Sequence, residues 1–208
     1  WNLVKHSTVF RSDMQPIGVV FLNKVWAASA SHSGGQKYEH IWSSDDGVNW
    51  DIRTYHSGLG DSDCRFAVLN NKLWAISSYD GIWSTDDGEN WIKATDIESF
   101  TPRGSFSCVT FDNKIWIIGG VKNYCSYLND VWCSSDGVNW IQATDSAGFA
   151  GRETHTCVVF DNKMWVIGGN TDRKWFNDVW YSADWVNWFQ STSNTGIPER
   201  LSHTSTVF

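Results

Sequence analysis

No apolar run in the 208 residues approaches the roughly 20 that a membrane helix needs. Nothing in the sequence therefore spans a bilayer as a helix. Basic residues are outnumbered, with 16 Lys and Arg against 23 Asp and Glu and a net charge of −7. Nucleic acid and anionic membranes both call for a basic face, so neither is an expected partner. The spacings that announce chemistry are missing too: there is no Cys-x-x-Cys, His-Glu-x-x-His, Gly-x-Ser-x-Gly elbow or phosphate loop. No metal, cofactor or catalytic residue is expected. Five Cys, an odd number, do not make a disulfide scaffold. Cys108 and Cys157 read as small buried apolar residues, while Cys125 and Cys133 lie close enough in sequence to bridge a loop to its strand. Neither an initiator Met nor a basic-plus-apolar leader begins the sequence, so a targeting segment is expected to be absent or removed. No Asn-x-Ser/Thr sequon occurs, which removes one sign of eukaryotic secretion. No segment repeats its apolar residues every 3.6 positions, so little helix is expected.

What is abundant is tryptophan, 15 residues of it in an otherwise ordinary globular composition of 41% hydrophobic and 19% charged residues. The spacing explains the number. Trp1, Trp50, Trp91, Trp140 and Trp188 each follow Asn or open the chain, at gaps of 49, 41, 49 and 48 residues. Trp26, Trp74, Trp116 and Trp165 follow Asn-Lys by one residue, and Trp42, Trp83, Trp132 and Trp180 form a third series. Only Trp175 and Trp185 stand outside. Each repeat reads as four short strands, clearest as CVTF, KIWIIG, DVWCS and NWIQ in the third copy. Alternating Trp and β-branched residues bounded by Asn, Asp and Gly mark strands and hairpins. The fourth copy carries Asp184–Trp185 where the others have Asp-Gly, which predicts a distorted turn.

Tandem four-stranded units of this length predict an all-β fold, a β-propeller. Its blades are expected at about residues 18–52, 66–93, 107–142 and 156–190 of a single domain, 1–208, with partial blade strands at 1–4 and 203–208. A propeller of six or seven blades at this period needs about 290–340 residues. The sequence is therefore expected to be a segment of a longer propeller, or to close by association of chains through open blade edges, because an uncovered apolar face drives association.

The third and fourth copies share finer features. Arg-x-x-Phe/His enters the first strand (Arg103 to Phe106, Arg152 to His155). Gly119–Gly120 and Gly168–Gly169 close the second, and Asn-Asp-Val-Trp lies on the third. This resembles the Kelch repeat, whose propeller also serves the galactose-oxidase group. The first two copies lack the Arg and the Gly pair. They match instead the sialidase Asp box, Ser-x-Asp-x-Gly-x-x-Trp, at Ser43 to Trp50 and Ser84 to Trp91. Both resemblances imply the same architecture.

The connections after the second and fourth strands are the long ones, which puts the expected binding face on that edge. Arg103, Arg152 and Arg200 align there, as do His155 and His203. As a polar ring they would orient an anionic or polyhydroxyl ligand through forked donors; as scaffold they would bridge blades through backbone carbonyls. Trp175, with Arg173 and Lys174 beside it, lies outside the repeat and reads as an exposed stacking platform. Tyr124 and Tyr127 read the same way. The expected function is a non-catalytic recognition module for a glycan or protein ligand. The alternative is an enzyme on the same scaffold, a sialidase-like glycoside hydrolase or a galactose-oxidase-like oxidoreductase, of which this would be a part. Three Arg at equivalent repeat positions do not make the arginine triad of a sialidase, and no Tyr/His/Cys copper set assembles. Similarity to repeats of bacterial surface proteins favours an extracellular or cell-surface location.

Overall fold

A computed structural model describes residues 17–33, 36–55, 64–77, 81–96, 100–123 and 125–196. The expected partial strands at 1–4 and 203–208 lie outside them. Among the described residues there are sixteen strands and no helix. The strands form four four-stranded antiparallel sheets, each a propeller blade in simple meander order. The first unit, Trp1–Asp96, holds two blades. One is β1 (Ile17–Phe21), β2 (Lys24–Ser33), β3 (Gln36–Ser44) and β4 (Asp51–Tyr55). The other is β5 (Arg65–Leu69), β6 (Lys72–Ser77), β7 (Gly81–Thr85) and β8 (Ile92–Thr95). The second unit, Ile97–Phe208, holds β9 (Ser107–Phe111), β10 (Lys114–Lys122), β11 (Ser126–Ser134) and β12 (Ile141–Thr144). Its other blade is β13 (Thr156–Phe160), β14 (Lys163–Asn170), β15 (Trp175–Ser182) and β16 (Phe189–Thr192). Within each unit the innermost strands of the two blades are neighbours, β1 beside β5 and β9 beside β13.

The first turn of every blade is a pair of residues at positive φ: Leu22–Asn23, Asn70–Asn71, Asp112–Asn113 and Asp161–Asn162, all between 49° and 57°. That geometry matches the twist of the flanking strands, and Asn and Asp tolerate it. One Trp series secures the same hairpin. The indole N–H of Trp26 donates to the Phe21 carbonyl (2.8 Å), Trp74 to Leu69 (3.1 Å), Trp116 to Phe111 (3.1 Å) and Trp165 to Phe160 (2.9 Å). A large apolar ring thus enters the blade interface with its one polar atom satisfied. The core between the third and fourth blades gathers Trp116, Ile118 and Val131 against Phe149, Met164, Val166 and Trp188.

The third turn is built on the expected Asp-Gly pair, with the glycine at positive φ in the first three blades. The repeated unit is Ser/Thr-x-Asp-Gly-x-Asn-Trp, one residue away from the Asp box: Ser44 to Trp50, Thr85 to Trp91 and Ser134 to Trp140, with Trp185 in place of Gly in the fourth copy, Ser182 to Trp188. In the first blade Asp46 Oδ1 accepts the backbone N–H of Val48 (2.8 Å) and Asn49 (2.7 Å). Its Oδ2 accepts the Asn49 amide (2.8 Å), and the Ser44 hydroxyl accepts the Gly47 N–H (2.8 Å). The other Asp of the Asp-box frame, Asp45, points outward to Lys24 at 2.7 Å. The fourth blade keeps the whole network, with Asp184 bonded to Val186 and Asn187 and Ser182 accepting from Trp185. The expected distortion is absent: Trp185 takes φ of 69°, beside 74°, 81° and 76° for Gly47, Gly88 and Gly137.

The connections between second and third strands are also shorter than the sequence suggested. Strand β10 runs on to Lys122 and β11 begins at Ser126, while β14 runs on to Asn170 and β15 begins at Trp175, so both pairs extend as hairpins. Trp175 is the first residue of β15, paired with Asn170, not a loop residue.

Candidate functional site

The Gly-Gly doublets give the second edge its geometry. Gly119 and Gly120 sit at φ of 58° and 101°, and the register of β10 and β11 slips between Ile118 and Gly120. A Cβ on Gly120 would lie 2.7 Å from the Gly104 carbonyl oxygen, so only glycine allows the chain to pass there. The bulge presents the Gly119 carbonyl to Arg103 Nη1 (3.2 Å), as Gly168 presents its own to Arg152 Nη1 (2.8 Å). Each Nε donates to a carbonyl two residues back, Thr101 or Ala150, at 3.0 Å. The fork then closes on a carboxylate. Arg103 pairs with both oxygens of Asp130, and Arg152 with those of Asp178 at 2.6 and 3.0 Å. The same aspartates accept the indole N–H of Trp132 and Trp180, both at 2.8 Å. Phe176 lies 4.2 Å below the Arg152 guanidinium and Phe149 5.4 Å from it.

Both Arg side chains are fully buried. Burial works against the Asp178 charge, yet the Arg152 and Trp180 hydrogen bonds and the Arg152 charge outweigh it, and the carboxyl titrates below its usual range. The Arg152 backbone also joins blades three and four. Its N–H donates to Leu128 (3.1 Å), its carbonyl accepts from Gly120 (2.9 Å), and Thr154 donates to Ser105 (3.0 Å). His155 is buried in the same seam, where a Cβ on Gly119 would come within 3.0 Å of its Cε1. Asp130 and Asp178 escaped the sequence reading as partners. Their signal is nonetheless there, because the first two copies lack both the Arg and the Asp, with His40 and Gly81 in the aspartate's place.

The exposed part of this edge is the β14–β15 hairpin. Its turn is closed by Thr171, whose N–H meets the Lys174 carbonyl (2.7 Å) and whose hydroxyl accepts from Lys174 (3.0 Å). Trp175 follows and remains 49% exposed. Arg173 is exposed, 3.4 Å from its neighbour Asp172, and Lys174 lies 5.1 Å over the ring of Phe176. Tyr127, on β11 of the adjacent blade, reaches over: its hydroxyl accepts the Asp172 N–H at 2.6 Å. Desolvation raises the Tyr127 pKa against the lowering effect of the Asp172 N–H bond. Tyr127 thus meets the β14–β15 hairpin at Asp172, next to Arg173 in its turn, and Trp175 opens the strand that follows. The fold keeps Arg103, Arg152 and His155 inside. Arg200, His203 and Tyr124 lie outside the described residues. All five cysteines are free, including Cys125 and Cys133. Cys108 and Cys157, expected to be buried, are half-buried; desolvation, followed by the neighbouring Cys108, raises the Cys157 pKa. Among the described residues no three His, Cys, Asp or Glu side chains gather as a metal set.

A family model, the DUF6242 beta propeller domain, matches residues 81–185. The match runs from the first residue of β7 to the turn of the fourth blade. No curated protein matches the chain.

Proposed function

The chain belongs to the family of the DUF6242 beta propeller domain, and from that premise we propose that it is a non-catalytic recognition module. It takes a glycan or protein ligand on the hairpin edge that carries Trp175, Arg173 and Tyr127. The observation behind this reading is Trp175 itself: a large aromatic ring, half exposed, outside every Trp series that the fold requires. An exposed indole on an edge that also carries an arginine and a tyrosine suits sugar stacking or a protein hot spot. The buried arginines support the division of labour, since four N–H groups of Arg152 are engaged within its own blade. The reading also takes the third and fourth repeats as Kelch-like, supported by the recurring linkage of Arg, Gly-Gly and the Asp-x-Trp strand.

The test uses the parent and a Trp175→Ala variant on a glycan array and in a pull-down. The variant should bind at least about tenfold more weakly, as for an aromatic hot spot, while its melting temperature stays within ~1 °C of the parent, as for a surface substitution. Binding that Trp175→Ala leaves intact overturns the proposed face. A sugar hydrolysed or oxidised by the parent overturns the non-catalytic reading.

A further inference from the structure

Two blade junctions in this protein follow one pattern. In the first unit, Phe21 and Trp26 project from the first blade (ring centroids 6.3 Å apart) and Trp26 is seated on the second. Its seat is built from Leu73, Val68 and the turn residue Gly88, where a Cβ would lie 2.0 Å from the Trp26 ring. In the second unit, Phe111 and Trp116 project from the third blade. Their seat is Met164, Val159 and the turn residue Trp185, whose ring lies 4.7 Å from Phe111 and 5.8 Å from Trp116. The knob and the seat occupy the same repeat positions in both junctions.

Among the described residues, the knob of the fourth blade and the seat of the first lie exposed. The fourth blade carries the next knob, Phe160 and Trp165. Phe160 is 55% exposed, and Trp165 is only half buried where Trp26 and Trp116 are fully covered. Its face continues through Tyr181, 5.2 Å from Trp165, and Phe189, 5.9 Å from Tyr181 and itself exposed. The first blade carries the next seat. Val20 and Val25, paired across β1 and β2, stand where Val159 and Met164 do, but are 67% and 36% exposed. Leu73 and Met164, the counterparts of Val25, are fully buried. Gly47 stands where Gly88 does, yet a Cβ there would meet nothing within 4 Å among the described residues.

We propose that the chain associates head to tail, the Phe160–Trp165 knob of one copy entering the Val20–Val25–Gly47 seat of a second copy. Exposed complementary apolar surfaces of this kind drive association, and the two internal junctions supply the shape. The occupant is a second copy because the chain presents both halves of the joint. The interface is heterologous, so copies add one after another until a ring closes or a filament grows. This surface is independent of the Trp175 edge and stands whether or not that edge binds a ligand.

Sedimentation velocity over about 1 μM to about 1 mM, the range in which a modest interface fills, tests it. The parent should shift to larger species with concentration. Trp165→Glu, Phe160→Glu and Val25→Glu should each stay monomeric, with dissociation constants raised at least about tenfold, and with far-UV spectra like the parent's. The decisive arm mixes Phe160→Glu with Val25→Glu. Each retains the half the other has lost, so the mixture should give a 1:1 dimer and stop there. A parent that stays monomeric throughout overturns the proposal. So does association that survives the knob and seat variants, or a mixture that fails to form the capped dimer.

Discussion

Arg152 and Trp175 show how differently two residues on one edge of a blade are treated. Arg152 bonds two carbonyls and a carboxylate and is stacked between aromatic rings, with no surface left. Buried ion pairs add little net stability against apolar replacements, but breaking one strands a charge, at a cost of about 3–5 kcal/mol. Arg152→Lys keeps the charge and loses the fork, since an ammonium cannot reach both Asp178 oxygens and the Gly168 carbonyl in the same geometry. Urea denaturation should find it destabilised by about 2–4 kcal/mol. An unchanged midpoint would mean that the fork is not a structural joint. Sequence alone left both roles open for these arginines. The scaffold role was legible in one respect only, that Arg and the third-strand Asp are present together or absent together across the copies.

At the scale of the element, the recurring device is the Asp-centred turn. Hydrogen bonds hold each of its carboxylates below the ordinary range. The largest cause is the Asn49 N–H for Asp46, the Asn90 N–H for Asp87 and the Asn187 amide for Asp184, which titrates at about 2. Partial burial raises Asp136, but hydrogen bonds from Asn139 and Val138 bring it to about 2 as well. A carboxyl depressed in the folded state stabilises the fold above its unfolded value, near 4, and that stabilisation is lost as the pH falls toward 2. Thermal melts should therefore decline steeply between about pH 4 and pH 2, and Asp136→Asn should flatten that slope while lowering the plateau at neutral pH. A slope unaltered by the substitution would place the acid sensitivity elsewhere. The strands and their two-residue turns were legible from alternation and from the Asp-Asn and Asn-Asn pairs. The hairpin edge was not, because Lys122, Ser126 and Asn170 are polar and read as loop although their backbones pair as strand. Trp185 misled for another reason. Its positive φ costs strain, of order 1–3 kcal/mol, which its contacts with Phe111 and Trp116 offset, and those contacts exist only once two blades meet.

At the scale of the whole molecule, equal positions in the repeat have unequal weight because their neighbours differ. Trp116 is enclosed by the fourth blade, whereas Trp165 carries the same local hydrogen bond on a half-covered face. Trp116→Ala should cost about 3–5 kcal/mol, the range for deleting a buried large aromatic, and Trp165→Ala less than half of that in the monomer. Equal costs in urea titrations of the monomer would contradict the interface seen between blades three and four.

The repeated polar residues join the blades, and the unrepeated Trp175 is proposed to serve a ligand instead of the fold. The most direct measurement is a paired thermal melt of Arg152→Lys and Trp175→Ala beside the parent. At about 2–4 °C per kcal/mol for a chain of this size, Arg152→Lys should melt at least ~5 °C lower and Trp175→Ala within ~1 °C. A Trp175→Ala protein that melts far below the parent, with Arg152→Lys unmoved, would contradict the account.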